Sequence, residues 1–590
     1  MLDIFKTTFP NKSNLFFNIT KIFIIIICAF YLLGNFSPFF EGQDSYLYGI
    51  QSVFLSNGIY EIPNPLLKET GRLEFTGGNW NPTIHGTMIP IGNIGTPILG
   101  TVAYLLGGYY GLFYLGPILG ITLLILYERI TTKLFGKYIG LLSLLFLATC
   151  HIFFRSALLL NTDAIFTLFF FPGIYYLIIF LHNGNEKHIF LASIFFVLAN
   201  LIKIPGLVLF PLEVISVLSL FFIRKYFYNK SFIKLTQIKI SKKNISKIIL
   251  FSLIPWIIFF SFWFSYNDYF YGDFTNTYHS VHKGEERATS KLLVNALTIN
   301  NNDFEQFKDY AKYLLPYQFP AIFNTLENNF EDTLGQNWIG LSIPALLAFL
   351  LYTSFKQKSY RIEFLIFTFF IFGILWFHSG FKTEERASFG VPARYMLPII
   401  LLSFIAWSFL IVKFFSSFQT NNYKKYFKLI ILLILGSFFV LAFYFSPPIQ
   451  FFVDENFFKD PSETASRYPL ELEGIAEKSI VLSRNTDNVI EYGLIPFHLP
   501  PIEQLNDDKK RLLSDVILDG YSVYIFKEPT RLDEKEVLIS ISNSEKYVFK
   551  DFSSTFCMLY LNDGKLSNDS QCLLESQNKL TPTKNQVMIP

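Results

Sequence analysis

The 590-residue chain has little with which to perform redox, zinc or nucleotide chemistry. It has four cysteines, and no C-x-x-C or H-E-x-x-H spacing sets thiols or imidazoles out as zinc ligands. No G-x-G-x-x-G and no P-loop occurs, so no glycine-rich loop is available to cradle a nucleotide. Charged residues make up 16% of the chain, which argues against a soluble protein of this length. No basic patch interleaved with aromatics lies outside the apolar segments, so nothing points to nucleic acid. Repeats of fixed period and low-complexity tracts are missing too.

What is abundant is apolar. Hydrophobic residues are 51% of the chain and Phe alone accounts for 70 positions. Apolar runs of around 20 residues recur, the length a helix needs to cross a hydrocarbon core of roughly 30 Å. The expectation is a polytopic α-helical membrane protein with about eleven spans. They fall near 18–38, 109–128, 138–154, 164–182, 188–203, 204–223, 248–266, 336–355, 362–380, 395–415 and 427–446. The short Gly-rich stretch 94–108, "IGTPILGTVAYLLGG", reads as a helix dipping into the interface rather than crossing.

The net charge of +3 decides nothing, but its distribution does. The segment "RKYFYNKSFIKLTQIKISKKNISK", 224–247, has eight Lys or Arg and no acid. "ERITTKLFGK", "KQKSYR" and "NNYKKYFK" are basic as well. With eleven spans and a non-crossing 94–108, all four fall on the side of the N-terminus, which the positive-inside rule makes cytoplasmic. The C-terminus is then extracytoplasmic, and the plasma membrane is the expected location. No small-residue cleavage site follows "LLGNFSPFF", so the first run reads as a retained span.

Two domains are expected: a transmembrane domain, 1–446, with outer loops 39–108 and 267–335, and a small extracytoplasmic α/β domain, 447–590. In the latter "KSIVLSR", "YSVYIFKE" and "FCMLYLN" are β-rich, whereas "DDKKRLLSDVILDG" has helical spacing. Cys28 and Cys150 sit in apolar spans and read as inert packing residues. Cys557 and Cys572 lie where a disulfide is chemically permitted, and either a bridge or two free thiols fits. Sequons at Asn35 and Asn568 face outward in this topology.

Charged residues gather where spans meet the outer surface. Asp44 follows the first span, in "GQDSYLYGIQSVFLSNGIY"; Arg155 and Asp163, in "FFRSALLLNTDAIF", flank the loop after the third. Lys203 lies at the turn "LANLIKIPGLVLFP", and Arg386 and Arg394 stand in "GFKTEERASFGVPARYMLP". Each alone has a plain explanation, Asp44 as a helix cap and the cations as snorkelling anchors. Together, on one side, they fit a cavity in which cations hold a phosphate and a carboxylate accepts a proton. Glu213 differs by falling inside a span, with either a functional role or a helix contact open to it.

The order of these parts resembles the GT-C glycosyltransferases that use polyprenyl-linked sugars, among them protein O-mannosyltransferases, aminoarabinose transferases and oligosaccharyltransferase catalytic subunits. The resemblance covers roughly residues 17–400. It runs from the acidic first loop through the second acidic loop "LLLNTDAIFTLFFFPG" and the Lys-x-Pro turn "IKIPGLVLFP" to "ARYMLP". It implies that Asp44 is the catalytic base and that Asp163 is the second-loop acid. Arg155, Lys203, Arg386, Arg394, Tyr395 and His85 become the candidates for the donor phosphate and cavity. If a divalent cation such as Mg or Mn is used, Asp44 and Asp163 are its candidate ligands; no cofactor is otherwise expected. The second loop has one acid, in "NTD", where oligosaccharyltransferases have two, and no W-W-D-Y-G-type motif occurs, which speaks against N-glycan transfer.

The implied activity is transfer of a sugar, with inversion, from a polyprenyl-phosphate donor to a protein, lipid or glycan acceptor on the extracytoplasmic face. Topology agrees, since nucleotide sugars are not available outside the cytoplasm. The rival readings are a transporter or lipid flippase and a membrane-anchored binding or assembly protein. A transporter is expected to show repeat symmetry and polar groups near the midplane, and this sequence has neither beyond the single acid Glu213.

Overall fold

The computed structural model describes residues 10–35, 43–70, 80–90, 93–203, 209–227, 242–272, 363, 366–368, 370–371, 397–417, 479–483, 495–498, 507–519, 521–526, 547–551 and 556–561. They fall into two compact units. The first is helical and takes in residues 1–57, 92–266 and 285–460; the second takes in 58–91, 267–284 and 461–590.

The helical unit begins with α1 (Pro10–Gly34) and α2 (Gln43–Ser56). There follow α4 (Gly95–Phe135), α5 (Lys137–Ala148), α6 (His151–Leu158), α7 (Thr162–Asn183), α8 (Glu186–Ile202), α9 (Leu209–Phe227), α10 (Lys242–Tyr271) and α11 (Leu397–Ser417), with α3 (Pro65–Thr70) belonging to the second unit. Leu123, Leu124, Tyr127, Phe170, Phe171, Phe196, Leu401 and Phe404 lie in one continuous core, and the Tyr127 hydroxyl donates to the Leu401 carbonyl across it at 2.9 Å. Four of the described helices are long and apolar enough to cross a membrane, or five if one bent pair counts as a single span. The expected spans near 336–355 and 427–446 lie outside the described residues, as does most of 362–380.

Two details depart from straight spans. α4 is broken at Gly107 and Gly108, the latter at φ +60°, a conformation that glycine adopts without the penalty a Cβ brings. The chain turns back on itself there: a Cβ added at Gly111 would lie 2.0 Å from the Ala103 carbonyl oxygen. Residues 95–106 and 109–135 are therefore two helices, with Leu105, Leu106 and Tyr110 exposed at the bend. The second detail is in the expected span 138–154, which is broken into two helices, α5 and α6, meeting at 70° around Thr149 and Cys150. Beyond the bend, the end of α6 packs on glycines of α4. Added Cβ atoms at Gly116 and Gly120 would lie 2.6 Å from the Leu159 carbonyl oxygen and the Ala157 Cβ, so α4 admits the bent chain only where it has no side chain.

α7 and α8 form an antiparallel hairpin about Gly184, which ends α7 in the left-handed conformation, and Asn185, whose side chain caps α8 by accepting from the Lys187 N–H at 3.0 Å. The hairpin gives the unit two distinct ends. One end gathers Lys21, Glu128 and Thr132, joined through Glu128 Oε1 at 3.4 and 2.9 Å, together with His182 bound to Glu363 at 2.7 Å. The other end carries Asp163 and Lys203.

The second unit holds two sheets. In the first, β1 (Ile62–Pro63), β2 (Trp80–Pro82) and β3 (Thr87–Pro90) run antiparallel in the order β1-β3-β2. The second is mixed, in the order β5-β4-β6-β8-β7, from β4 (Ser479–Ser483), β5 (Ile495–His498), β6 (Ser522–Phe526), β7 (Tyr547–Asp551) and β8 (Phe556–Leu561). β4 pairs parallel with β5 and β6, and the amphipathic α12 (Asp507–Leu518) lies between β5 and β6 in the chain, as a parallel connection requires. The β-rich runs and the helical run read from the sequence are β4, β6, β8 and α12.

Candidate functional site

Asp163 and Lys203 come together in an ion pair, Lys203 Nζ donating to Asp163 Oδ1. Their helices are arranged to favour both charges. Asp163 stands in the first turn of α7, where unpaired N–H groups concentrate positive potential. Lys203 is the C-cap of α8, at that helix's negative end. The Asp163 side chain is 2% exposed and that of Lys203 16%, so the lysine side chain keeps some exposure that the aspartate lacks. The structure brings these two candidates together. Lys203, expected against a donor phosphate, is also the counter-ion of Asp163. A signal for this was present: the two residues are nearly equidistant from the turn at Gly184, so an antiparallel hairpin sets them side by side.

The end of α8 is held in place by the short first half of α4. The Asn93 side-chain amide donates to the Asn200 carbonyl at 2.7 Å, both residues being buried. A Cβ on Gly95 would lie 2.6 Å from the Leu201 carbonyl oxygen, so the two backbones touch immediately before Lys203. The same half-helix carries α2 on its other contacts. Thr101 Oγ1 donates to the Ser52 carbonyl at 3.1 Å, and a Cβ on Gly100 would lie 2.0 Å from Ser52 Oγ. α2 begins at Gln43, which puts Asp44 in its first turn; the Asp44 side chain lies outside the described residues. One structural unit thus links the helix that bears Asp44 to the turn that bears Lys203.

The other candidates lie elsewhere in the chain. Arg155, expected to flank the loop after the third span, is in α6 and is exposed. His85 belongs to the second unit, where its Nε2–H donates to the Tyr269 carbonyl at 3.0 Å. Arg386, Arg394 and Tyr395 lie outside the described residues, as do Cys572 and the Cys557 side chain. Among the described residues no three of His, Cys, Asp and Glu assemble as a metal site.

Glu213 has the partners that the sequence could not name. Its Oε1 accepts from Ser193 at 2.6 Å and Ser252 at 3.0 Å, and its Oε2 accepts from Trp256 Nε1 at 2.9 Å. The carboxylate of α9 therefore stitches α8 and α10 together from inside the bundle.

The profile of the dolichyl-phosphate-mannose-protein mannosyltransferase family matches residues 113–259, which run from α4 into α10. No curated protein matches the chain by sequence. Among solved structures, the archaeal oligosaccharyltransferase AglB of Archaeoglobus fulgidus, in complex with an inhibitory peptide and a dolichol-phosphate, is similar over 94% of this chain and 75% of its own, at 13% identity and a TM-score of 0.52. The same oligosaccharyltransferase in its apo form is similar at 14% identity and a TM-score of 0.51, over 90% of this chain and 73% of its own. ArnT of Cupriavidus metallidurans bound to undecaprenyl phosphate is similar over 91% of this chain and 97% of its own, at 10% identity and a TM-score of 0.50. The fold is that of the GT-C membrane glycosyltransferases, and the resemblance read from the order of loops is borne out.

Proposed function

We propose that this integral membrane protein is a glycosyltransferase that moves a sugar from a polyprenyl-phosphate-linked donor to an acceptor hydroxyl. The observation that carries the proposal is the Asp163–Lys203 pair, a buried carboxylate holding a lysine side chain that keeps some exposure at one end of the helical unit. It is supported by the fold, which is shared with an enzyme seen bound to undecaprenyl phosphate and another seen with dolichol-phosphate and a peptide.

In this mechanism the donor's phosphate lies against Lys203, whose charge offsets the negative charge that grows on the leaving group. Asp163 positions the ammonium. Asp44 takes the proton from the acceptor hydroxyl as its oxygen attacks the anomeric carbon. The bond from that carbon to the phosphate oxygen breaks, and the polyprenyl phosphate leaves with the electron pair. A single in-line displacement inverts the anomeric centre. The chemistry takes place on the extracytoplasmic face, with the N-terminus cytoplasmic, because a lipid-carried donor is what a transferase outside the cytoplasm requires. Residues 447–590 form an extracytoplasmic α/β domain in this arrangement.

The test is transfer of a radiolabelled lipid-linked sugar by purified Asp44→Asn protein. Asn caps a helix about as well as Asp, so α2 keeps its start. Loss of a general base lowers the rate on the order of 10²–10⁴. Transfer at the parental rate removes Asp44 from the mechanism.

A further inference from the structure

The β2–β3 hairpin of the second unit has its tip fastened to the last turn of a membrane-length helix. The Ile84 N–H donates to the Phe270 carbonyl at 3.0 Å, and His85 Nε2–H donates to the Tyr269 carbonyl. The rings of His85 and Tyr269 lie 4.9 Å apart. Tyr60, at the start of the same loop, sets its ring 5.5 Å from Phe270. A Cβ on Gly272 would meet Ile84 Cγ2 at 3.3 Å, so the tip lies directly over the helix end. Yet the outward surface of this assembly is apolar: Ile84 is 61% exposed, Tyr269 56% and Ile59 43%.

The depth of this patch follows from the helix. The apolar stretch Ser246–Tyr271 has 26 residues, about 39 Å at 1.5 Å per residue. A hydrocarbon core is roughly 30 Å thick, or about 40–45 Å with both headgroup layers. With the basic residues Lys242, Lys243 and Lys247 at one boundary, the far end at Tyr269–Tyr271 reaches the opposite headgroup level. Trp263, Tyr266 and Tyr269 are the aromatic types that favour that level. The polar groups of the patch agree. Glu61 accepts from Thr87 Oγ1 at 2.7 Å and from the Tyr269 hydroxyl at 3.3 Å, and Asp268 is exposed. Carboxylates and isoleucines side by side suit the boundary between headgroups and acyl chains, and neither bulk water nor hydrocarbon.

We propose that the hairpin tip, Ile84 with Ile59 and Tyr269, is a membrane-interface foot that inserts at the headgroup–acyl boundary of the leaflet where α10 ends. It seats the first-loop sheet on the bilayer. The partner is the lipid surface itself, and the proposal stands on the membrane reading of α10 rather than on the transferase reading.

The experiment uses full-length protein in nanodiscs of phosphatidylcholine and phosphatidylglycerol. An environment-sensitive fluorophore is attached at Ile84→Cys, at Ile59→Cys and, as the control, at Leu518→Cys, where α12 exposes its leucine at 73%. Signal from identically treated parental protein is subtracted. Lipid carrying a nitroxide high on its acyl chain should quench positions 84 and 59 several-fold more than position 518. Iodide in the water should quench 518 several-fold more than 84 and 59. Iodide quenching at 84 and 59 as strong as at 518 overturns the proposal, whatever else then covers the patch. Neither reading involves a sugar donor, so the result is independent of any transfer assay.

Discussion

Among the described residues of the helical unit four carboxylates are buried, Glu128, Asp163, Glu213 and Glu363, and the protein answers Asp163 and Glu213 in opposite ways. Asp163, in the first turn of α7, meets an ammonium; Glu213, in the second turn of α9, meets two serine hydroxyls and an indole N–H. Neutral donors from three neighbours can hold a carboxylate inside a bundle, but the arrangement leaves no accessible charge with which to bind a substrate. The pair at the rim does, because the Lys203 side chain retains some exposure while Asp163 and the C-terminal end of α8 hold it in place. One acid joins helices; the other presents a cation.

The most severe way to break that contrast is Lys203→Met. Taking away one partner of a buried pair typically costs about 3–5 kcal/mol. We expect that loss in thermal unfolding of the detergent-solubilised protein, together with loss of sugar transfer. The double variant Asp163→Asn with Lys203→Met removes both charges and should recover much of the stability. Transfer should stay lost. A double variant that regains transfer makes the rim pair a helix fastener like Glu213, and the contrast collapses.

Next in size is Glu213→Ala, which opens a cavity and strips three donors of their acceptor. The combined cost is about 2–4 kcal/mol, the Trp256 N–H being the donor with no local substitute. Ser193 and Ser252 lose less, since the Ser193 hydroxyl also lies 2.9 Å from the Ile189 carbonyl. Transfer per folded molecule should be unchanged. A defect in the correctly folded fraction places Glu213 in the reaction and erases the distinction from the other side.

What the sequence revealed and what it hid divide along the same line. Apolar runs were enough to find α7, α8, α10 and α11, because a span buries itself by composition. Alternating apolar runs were enough for β4, β6 and β8. The bend between α5 and α6 was not legible: "LLFLATCHIFFRSALL" has no Pro or Gly at the break, and its polar residues Thr149, His151, Arg155 and Ser156 do not by themselves mark one. The end of the bent segment packs on Gly116 and Gly120 of α4, a tertiary contact with no local mark. Glu213 was visible as an anomaly, but Ser193 and Trp256 stand 20 and 43 residues away and nothing nearby announces them. The rim charges were found as a group, and only the hairpin about Gly184 sorts Asp163 and Lys203 out of it.

Gly100→Ala sharpens the contrast by acting on α2 instead of on a charge. The new methyl meets Ser52 Oγ and Cβ, so either α2 shifts or the Ser52 side chain turns away from the Tyr48 carbonyl it now bonds at 2.6 Å. Overpacking of this kind costs about 1–3 kcal/mol. If the helix bearing Asp44 serves the rim chemistry, transfer should fall by more than the loss of folded protein explains. Adding Ser52→Gly to make room should restore it. Equal falls in transfer and folded protein mean that α2 only packs.

The smallest expected effect is that of Asn93→Ala, and it asks how tightly the rim cation is held. The Asn93 amide reaches across to the Asn200 carbonyl, three residues before Lys203, where α8 runs out of its own donors. Losing that bond costs about 1 kcal/mol, since the net worth of one buried hydrogen bond is small. Stability should therefore barely move, a few degrees at most in the unfolding midpoint. The consequence for transfer should be larger, because the freed end of α8 lets Lys203 drift from the donor phosphate. Misplacement of about 1 Å in a positioning group typically costs on the order of 10²-fold in rate. The defect should appear chiefly as weaker use of the lipid donor, while the dependence on acceptor concentration stays parental. Asn93→Asp cannot donate to the carbonyl and should behave like the alanine variant, whereas Asn93→Gln, which keeps an amide donor, should recover part of the activity. Parental transfer by both the Ala and Asp variants shows that the Gly95 contact alone fixes the end of α8, and that Lys203 needs no second hold.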